Sequence, residues 1–349
     1  MMETKTLTKT GFEELVAALV AKDVRVIAPT RMRDNSDDLD FAPVQHASDV
    51  VLQGSLPMRS IKGLFLPPTE VLFSWTRNKD GLKLVPVTTP AKKTVVLGAR
   101  PCDAAAPEIV DQLMGWDYHD DLWFAKREAT SIVALACEGF DASCFCTAVG
   151  LGPDATRGAD VLLTLVGTEF HVDVLTKKGE ALVGDHSKQF RSGGKDKEAN
   201  TFRENARAKM KRNPVPSELG PWIEGHFDDG VWKQLAHPCH GCGACAFVCP
   251  TCHCFDIVDE SHSVTTGVRR RNWDTCQASL FTLHGSGHNP RGDQGARYRQ
   301  RITHKFSIYP KRFGQTLCTG CGRCVRACPA GIDLLEILET LGARAGGAE

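Results

Sequence analysis

The run Cys239-His-Gly-Cys242-Gly-Ala-Cys245-Ala-Phe-Val-Cys249-Pro250 decides how the C-terminal part of this chain folds. A second copy follows: Cys318-Thr-Gly-Cys321-Gly-Arg-Cys324-Val-Arg-Ala-Cys328-Pro329. Both have the spacing C-x2-C-x2-C-x3-C-P, the ligand run of paired 4Fe–4S clusters. Three thiolates on one tight loop reach three corners of a cubane. The fourth cysteine starts a helix that carries it away, toward the other cluster. On that logic Cys239, Cys242, Cys245 and Cys328 hold one cluster, and Cys318, Cys321, Cys324 and Cys249 hold the other. Gly241, Gly243, Gly320 and Gly322 let each loop close tightly and leave backbone N–H groups free to point at sulfur. The rival is a pair of structural zinc sites, but zinc ribbons use separated cysteine pairs and need no strict 2-2-3 spacing with proline.

The totals agree with an intracellular redox protein. The 15 cysteines are clustered, not spread as a disulfide framework, which implies a reducing compartment where thiols remain available as ligands. Lys+Arg and Asp+Glu are equal at 42 each, so global charge gives no argument for nucleic acid or a membrane surface. The 349 residues allow two domains or three small ones. The N-terminus lacks the apolar segment of a secretory signal, and no stretch approaches the roughly 18 apolar residues of a membrane span. The expected location is the cytoplasm, with no direct membrane insertion.

Working outward from the two runs, residues 1–190 read as an α/β domain with a mixed or parallel sheet, 191–235 as a helical linker, and 236–349 as a helical-type two-cluster ferredoxin domain; the overall class is α+β. Residues 11–22 carry helical spacing, and Val24–Ala28 reads as a strand. The acidic segment Asp34–Asp40 reads as a solvated turn. Residues 60–73 read as a short extended run, a proline break at Pro67-Pro68 and a helix start. Lys93–Gly98 and Ser131–Ala136 are continuously apolar, the signature of buried parallel strands. Between them the alanine-rich Ala104–Met114 reads as a helix. Residues 159–184 alternate like a β-hairpin, Thr201–Lys211 looks helical, and Asn213-Pro-Val-Pro216 breaks it. The second run begins 79 residues (318 − 239) after the first. That insert predicts helices at Gln277–His284 and Tyr298–Phe306, followed by Ile332–Leu341, and so favours a helical ferredoxin domain over a β-hairpin type.

Ligand sites in parallel sheets lie beyond the carboxyl ends of strands. Cys102 and Cys137 fall at that edge, and Cys144 and Cys146 follow closely. Four thiols make the set a further cubane needs, so Cys102, Cys137, Cys144 and Cys146 are the candidate ligands of a third cluster, with zinc or plain packing as alternatives. Cys249-Pro-Thr-Cys252-His253 matches a covalent haem motif in form, but Cys249 is needed as a cubane ligand and there is no export signal. Cys252 and Cys254 are read as packing against a cluster or tuning it, with replacement of a cluster ligand by either as the alternative. Cys276 is read as core. Residues 285–291 lack both dinucleotide and Walker patterns. His288 and Arg291 are candidates to shape a cluster environment or a docking surface. Between 266 and 325 there are 11 Lys/Arg against Asp274 and Asp293. The plain reading is a solvated face; cations near an anionic cubane would also raise its potential, or the patch would dock an acidic partner. No nucleic-acid-binding motif accompanies the patch.

With these segments in hand, the chain resembles the iron–sulfur β subunit of cytoplasmic sulfhydrogenase-type NiFe hydrogenases, and equally the iron–sulfur electron-transfer subunit of the anaerobic sulfite reductase. Ile61-Lys-Gly-Leu-Phe-Leu-Pro-Pro68, Arg100-Pro-Cys-Asp103, Cys144-Phe-Cys146, Cys249-Pro-Thr-Cys252, Trp273-Asp-Thr-Cys276 and Gly287-His-Asn-Pro-Arg291 carry the likeness, together with the two runs. The resemblance implies an electron-transfer subunit that relays single electrons between a flavin/NAD(P)H-binding subunit and a catalytic redox subunit, either a NiFe hydrogenase or a siroheme-type reductase. The residues agree: there is no dinucleotide fingerprint, no Ser/His/Asp set and no paired nickel-type cysteine motif, and a chain with cluster sites but no substrate chemistry is a wire. The alternative is a flavin-bearing reductase subunit with its own substrate site near Cys102 and Cys137. A cluster- or zinc-stabilised redox sensor or nucleic-acid-binding module is the weakest reading, given the neutral charge balance.

Overall fold

The computed structural model describes residues 4–33, 36–87, 91–139 and 141–347. Two residues of the acidic segment, 34 and 35, lie outside them. The strands in chain order are β1 (Thr4–Leu7), β2 (Arg25–Arg31), β3 (Leu39–Pro43), β4 (Thr69–Asn78), β5 (Gly81–Pro86), β6 (Thr94–Ala99), β7 (Thr130–Leu135), β8 (Val161–Val166), β9 (Glu169–Val174), β10 (Phe190–Ser192), β11 (Phe255–Ser261) and β12 (Thr266–Trp273).

Eight strands form one sheet in the order β10-β1-β9-β8-β7-β6-β2-β3. Its centre is parallel, with β2 on β6, β6 on β7 and β7 on β8. Its flanks are antiparallel, as the expected mixed sheet allows. The parallel centre follows from the sequence. β6 (Thr-Val-Val-Leu-Gly-Ala) is buried along its whole length, and β7 nearly so, because helices cover both faces. One face packs Leu15, Val16 and Leu19 of the helix Lys9–Ala21; the other packs Ala104, Val110 and Met114 of the helix Pro101–Met114. The hairpin expected over 159–184 is β8–β9, and it gives way to a helix at Lys177–Asp185.

The segment expected to be a linker is helical at Asp196–Lys209, Leu219–Gly225 and Val231–Ala236, although its first strand, β10, still pairs with β1. The C-terminal helices Gln294–Thr303 and Leu334–Ala345 pack with those two shorter helices around Ile223, Trp232, Ile302 and Leu338. Phe145 joins that core from the first segment.

Three expectations are corrected. Gln277–His284 is turn, not helix. Residues 60–73 run in the opposite order to that expected: a short helix, Lys62–Phe65, comes first, and the strand β4 begins after Pro68. The insert between the cysteine runs is not purely helical. It contains the hairpin β11–β12, which pairs through β12 with β4 to complete a second sheet of order β11-β12-β4-β5. Strands from the N-terminal segment and from the insert therefore share one sheet. The seam is fastened by Arg271 of β12, which bonds Glu70 at 2.8 Å and pairs with Asp120.

Candidate iron–sulfur sites

β6 and β7 are parallel neighbours, so their carboxyl ends open on one edge of the sheet. β6 leads into Arg100 and the helix Pro101–Met114, which places Cys102 in the first helical turn, not in a loop. β7 leads into Cys137, and the loop after it returns with Cys144 and Cys146. All four thiols line one cavity, which Arg100, Met210, Gly320 and Cys321 also border. The Gly139 N–H donates to Cys137 Sγ at 3.4 Å. Burial pushes the Cys102 and Cys137 thiols up, and Cys146 up to about 12.

The first ferredoxin run forms a second cavity. Cys239, Cys242, Cys245 and the distant Cys328 line it together, with Gln277, Tyr298, Arg301 and Cys324. The loop reaches Cys328 because the two runs pack as a pair, each with its third thiol on a short helix, Ala244–Phe247 and Arg323–Arg326. Gln294 Nε2 donates to Cys239 Sγ at 3.2 Å, and the Ile332 N–H donates to Cys328 Sγ at 3.4 Å.

The third set is Cys318, Cys321, Cys324 and Cys249. Cys249 acts electrostatically on each of the other three. Burial raises Cys318 to about 11 and Cys324 to about 12. Gly320 N–H donates to Cys318 Sγ at 3.4 Å. Thr319 Oγ1 is buried in the same loop and has no hydrogen-bond partner among the described residues.

The three places are contiguous. Cys321 borders the cavity of the four N-terminal thiols, and Cys324 borders the cavity of the first run. Two glycines make the first junction possible. The Phe145 N–H donates to Gly320 O at 2.8 Å, and a side chain at Gly320 would stand 2.5 Å from the Cys146 backbone. A side chain at Gly322 would stand 2.3 Å from Ser143 O. These glycines were expected to wrap sulfur; in the fold they also admit the loop 143–146.

The electrostatics call for buried negative charge. Lys62, Arg301 and Lys305 are 7, 3 and 2 % exposed. Their hydrogen bonds go to carbonyls, one hydroxyl and sulfur. Lys305 Nζ donates to Cys249 Sγ at 3.4 Å, Thr251 Oγ1 at 3.1 Å and Leu317 O at 2.8 Å. Arg301 donates to Cys252 Sγ at 3.7 Å, and Lys62 Nζ to Ala246 O at 3.2 Å while lying 3.9 Å over the Trp273 ring. Burial works against the Lys305 charge, but Cys249 and then Cys252 raise its pKa on balance. For Lys62 burial wins and lowers it. Buried cations without carboxylates need another anion. Four thiolates on a cubane supply one, and these donor sets fit it. Among the described residues no three His, Cys, Asp or Glu side chains close around a single ion.

Cys252, Cys254 and Cys276 lie outside the three sets. The Cys252 thiol accepts from Arg301 and feels the charge of Cys249. Cys276 is buried, as the core reading has it, and it acts electrostatically on Cys254. Its interaction with Cys254 holds Cys276 down at about 6 despite its burial. Sequence reading missed Lys62, and it took Arg301 and Lys305 only as part of the basic stretch 266–325. A signal was present: Arg301 and Lys305 fall at helical spacing on the same stripe as Tyr298, Ile302 and Tyr309. Of the two other residues singled out, His288 is exposed, its ring 5.4 Å from that of His284, and Arg291 is half-buried.

Residues 238–332 match the family model of the 4Fe-4S dicluster domain. The chain is 28% identical over 319 residues to the sulfhydrogenase 2 subunit beta of Pyrococcus furiosus, which covers 90% of this chain and 91% of that relative. The resemblance to sulfhydrogenase β subunits read from the motifs is thereby borne out, and several of those motifs meet in space. Lys62 of the Ile61–Pro68 segment lies on Trp273 of the Trp-Asp-Thr-Cys segment, and the Trp273 indole N–H donates to Leu66 O at 3.0 Å. Among the described residues no helix is long and apolar enough to cross a membrane.

Proposed function

We propose that this chain, an iron–sulfur subunit of the sulfhydrogenase β type, relays single electrons through three 4Fe–4S clusters arranged in a row. Cys102, Cys137, Cys144 and Cys146 hold one end. Cys318, Cys321, Cys324 and Cys249 hold the middle. Cys239, Cys242, Cys245 and Cys328 hold the other end. The observation that carries this reading is the sharing of Cys321 and Cys324: each belongs to the middle set and also borders a neighbouring cavity. Bound clusters supply one-electron redox chemistry at potentials set by charge, hydrogen bonds and burial.

The chain's own residues hold the row in place and set its electrostatics. Arg301 and Lys305 offset negative charge between the middle set and the first run. The N–H groups of Gly139, Gly320 and Ile332 donate to sulfur at three different sets. Cys242 is exposed, so the end it serves is the contact point for a partner. The partners in this reading are a flavin/NAD(P)H-binding protein and the catalytic component of a hydrogenase or of a sulfur or sulfite reductase. The relative's name supports the hydrogenase, and the site of action is the cytoplasm.

Anaerobic purification followed by iron, sulfide and zinc analysis tests the proposal. The expected result is roughly twelve iron atoms per chain. Mainly zinc would end it, and a flavin spectrum in the isolated chain would favour a reductase with its own substrate site.

A further inference from the structure

Gln294 opens the helix Gln294–Thr303 and reaches back to the first thiol of the first cysteine run. Its Nε2 donates to Cys239 Sγ at 3.2 Å and to Gln277 Oε1 at 2.8 Å. Its Oε1 accepts from Arg297 Nε at 3.1 Å and from Arg297 Nη2 at 2.8 Å. Arg297 stands at the i, i+3 spacing that puts two side chains on one helix face. The neighbours fix which way each amide points. A guanidinium has donors only, so the end of Gln294 that faces Arg297 is the carbonyl, and its NH2 must face sulfur. Gln277, 1% exposed, is fixed in the same way. Its Nε2 donates to Arg297 O at 3.0 Å, a peptide carbonyl that can only accept, so its Oε1 must face Gln294. Gly241 gives Gln294 its room, since a Cβ there would stand 2.9 Å from Gln294 Oε1. Arg297 Nη1 donates to Arg291 O and Gly292 O at 3.1 Å each, so every oxygen bonded by this guanidinium is neutral.

We propose that Gln294 raises the potential of the cluster held by Cys239, Cys242, Cys245 and Cys328, with Arg297 as the positioning residue that keeps its N–H on sulfur. Reduction adds negative charge to a cluster and its thiolates. A donor on Cys239 Sγ therefore stabilises the reduced form more than the oxidised one, and the potential rises. Arg297 locks the Gln294 amide in the orientation that donates, and its charge on Oε1 polarises the amide toward a stronger N–H donor. The end of the row that carries the exposed Cys242 is thus tuned by a side-chain amide, where the other two sets take backbone N–H groups. The proposal rests on the relay reading for the cluster itself; the hydrogen-bond network stands without it.

An EPR-monitored redox titration of anaerobic, full-length protein of measured iron content tests it. The signal altered or lost in Cys242→Ser belongs to this cluster. Gln294→Leu should shift that midpoint to lower potential, leave the other midpoints in place and keep the iron content. Gln294→Glu keeps the length and the contact with Arg297 but sets a carboxylate oxygen against sulfur. It should shift the same midpoint the same way, and it carries the test if the leucine variant does not fold. Arg297→Met should lower the midpoint in the parent and move it little in Gln294→Leu, because Arg297 acts through Gln294. Iron-replete variants at Gln294 with unchanged midpoints overturn the proposal and leave the relay standing. Equal shifts from Arg297→Met in both backgrounds overturn the role given to Arg297. Wild-type protein without iron overturns the relay reading itself.

Discussion

Asp103 and Arg323 form a bidentate ion pair at 2.7 and 2.9 Å, with both side chains withdrawn from solvent. Asp103 follows Cys102 in the N-terminal segment, and Arg323 precedes Cys324 in the second cysteine run. The third Arg323 donor, Nε, bonds Pro57 O at 2.9 Å. Burial opposes the guanidinium charge, but Asp103 first, then Cys321 and Cys102, raise its pKa. The pair therefore sets the spacing between the N-terminal thiols and the middle set. Asp103→Asn keeps the shape and removes the charge, leaving Arg323 buried and unpaired. The expected cost is about 3–5 kcal/mol, and thermal melts of anaerobic protein measure it. Asp103→Asn with Arg323→Met should recover much of that loss. A single variant as stable as the parent would show that the pair does not clamp the seam.

Lys305 places its ammonium 3.4 Å from Cys249 Sγ. At about 7 Å from the centre of a cluster on that thiol, and an effective dielectric of about 20, one positive charge is worth about 2 kcal/mol, on the order of 100 mV for one electron. Lys305→Met should lower the potential of the middle cluster by that order and leave iron content unchanged. An EPR-monitored redox titration reads it. No shift in any cluster signal would mean that the Lys305 charge is offset elsewhere.

How far the sequence could foretell this site depends on how local each signal is. The cysteine runs and the strands β6 and β7 are local patterns, and they placed twelve thiols in three sets before any contact was known. The hairpin β11–β12 was missed because its pairing to β4 spans some two hundred residues, as the Thr69–Asn272 bond shows, and no periodicity records that. β11 is largely exposed and lacks the apolar run that marks a buried strand. Lys62, Arg301 and Lys305 were unreadable as a set for a related reason. A buried cation looks like a surface cation until the anion it faces is known.

Cys146 tests the N-terminal set. It lines the cavity with Cys102, Cys137 and Cys144 and belongs to neither ferredoxin run. Cys146→Ser should reduce iron from roughly twelve to roughly eight atoms per chain while the signals of the other two clusters persist. Unchanged iron and an unchanged set of EPR signals would return these thiols to plain packing.

His253 and His304 give the protein an acid limit. Their rings meet edge to face at 5.3 Å, and His253 Nδ1 lies 3.1 Å from Thr251 O. Burial lowers His253 to about 4, with Lys305 and Lys62 adding to the effect and Thr251 O and Cys249 opposing it. Burial lowers His304 to about 3, with His253, Lys305 and Arg291 adding. An unfolded histidine takes up its proton near pH 6.5. Between that value and the folded ones the unfolded chain binds the extra protons, so stability falls as pH falls. Each histidine loses about 1.4 kcal/mol per pH unit inside this window, or about 2 kcal/mol between pH 6.5 and 5. Melting temperatures of iron-replete protein should be flat from pH 8 to 7 and drop steeply toward pH 5. His304→Gln removes one of the two groups and should flatten that drop to about half. If the variant tracks the wild type at every pH, the acid sensitivity has another source.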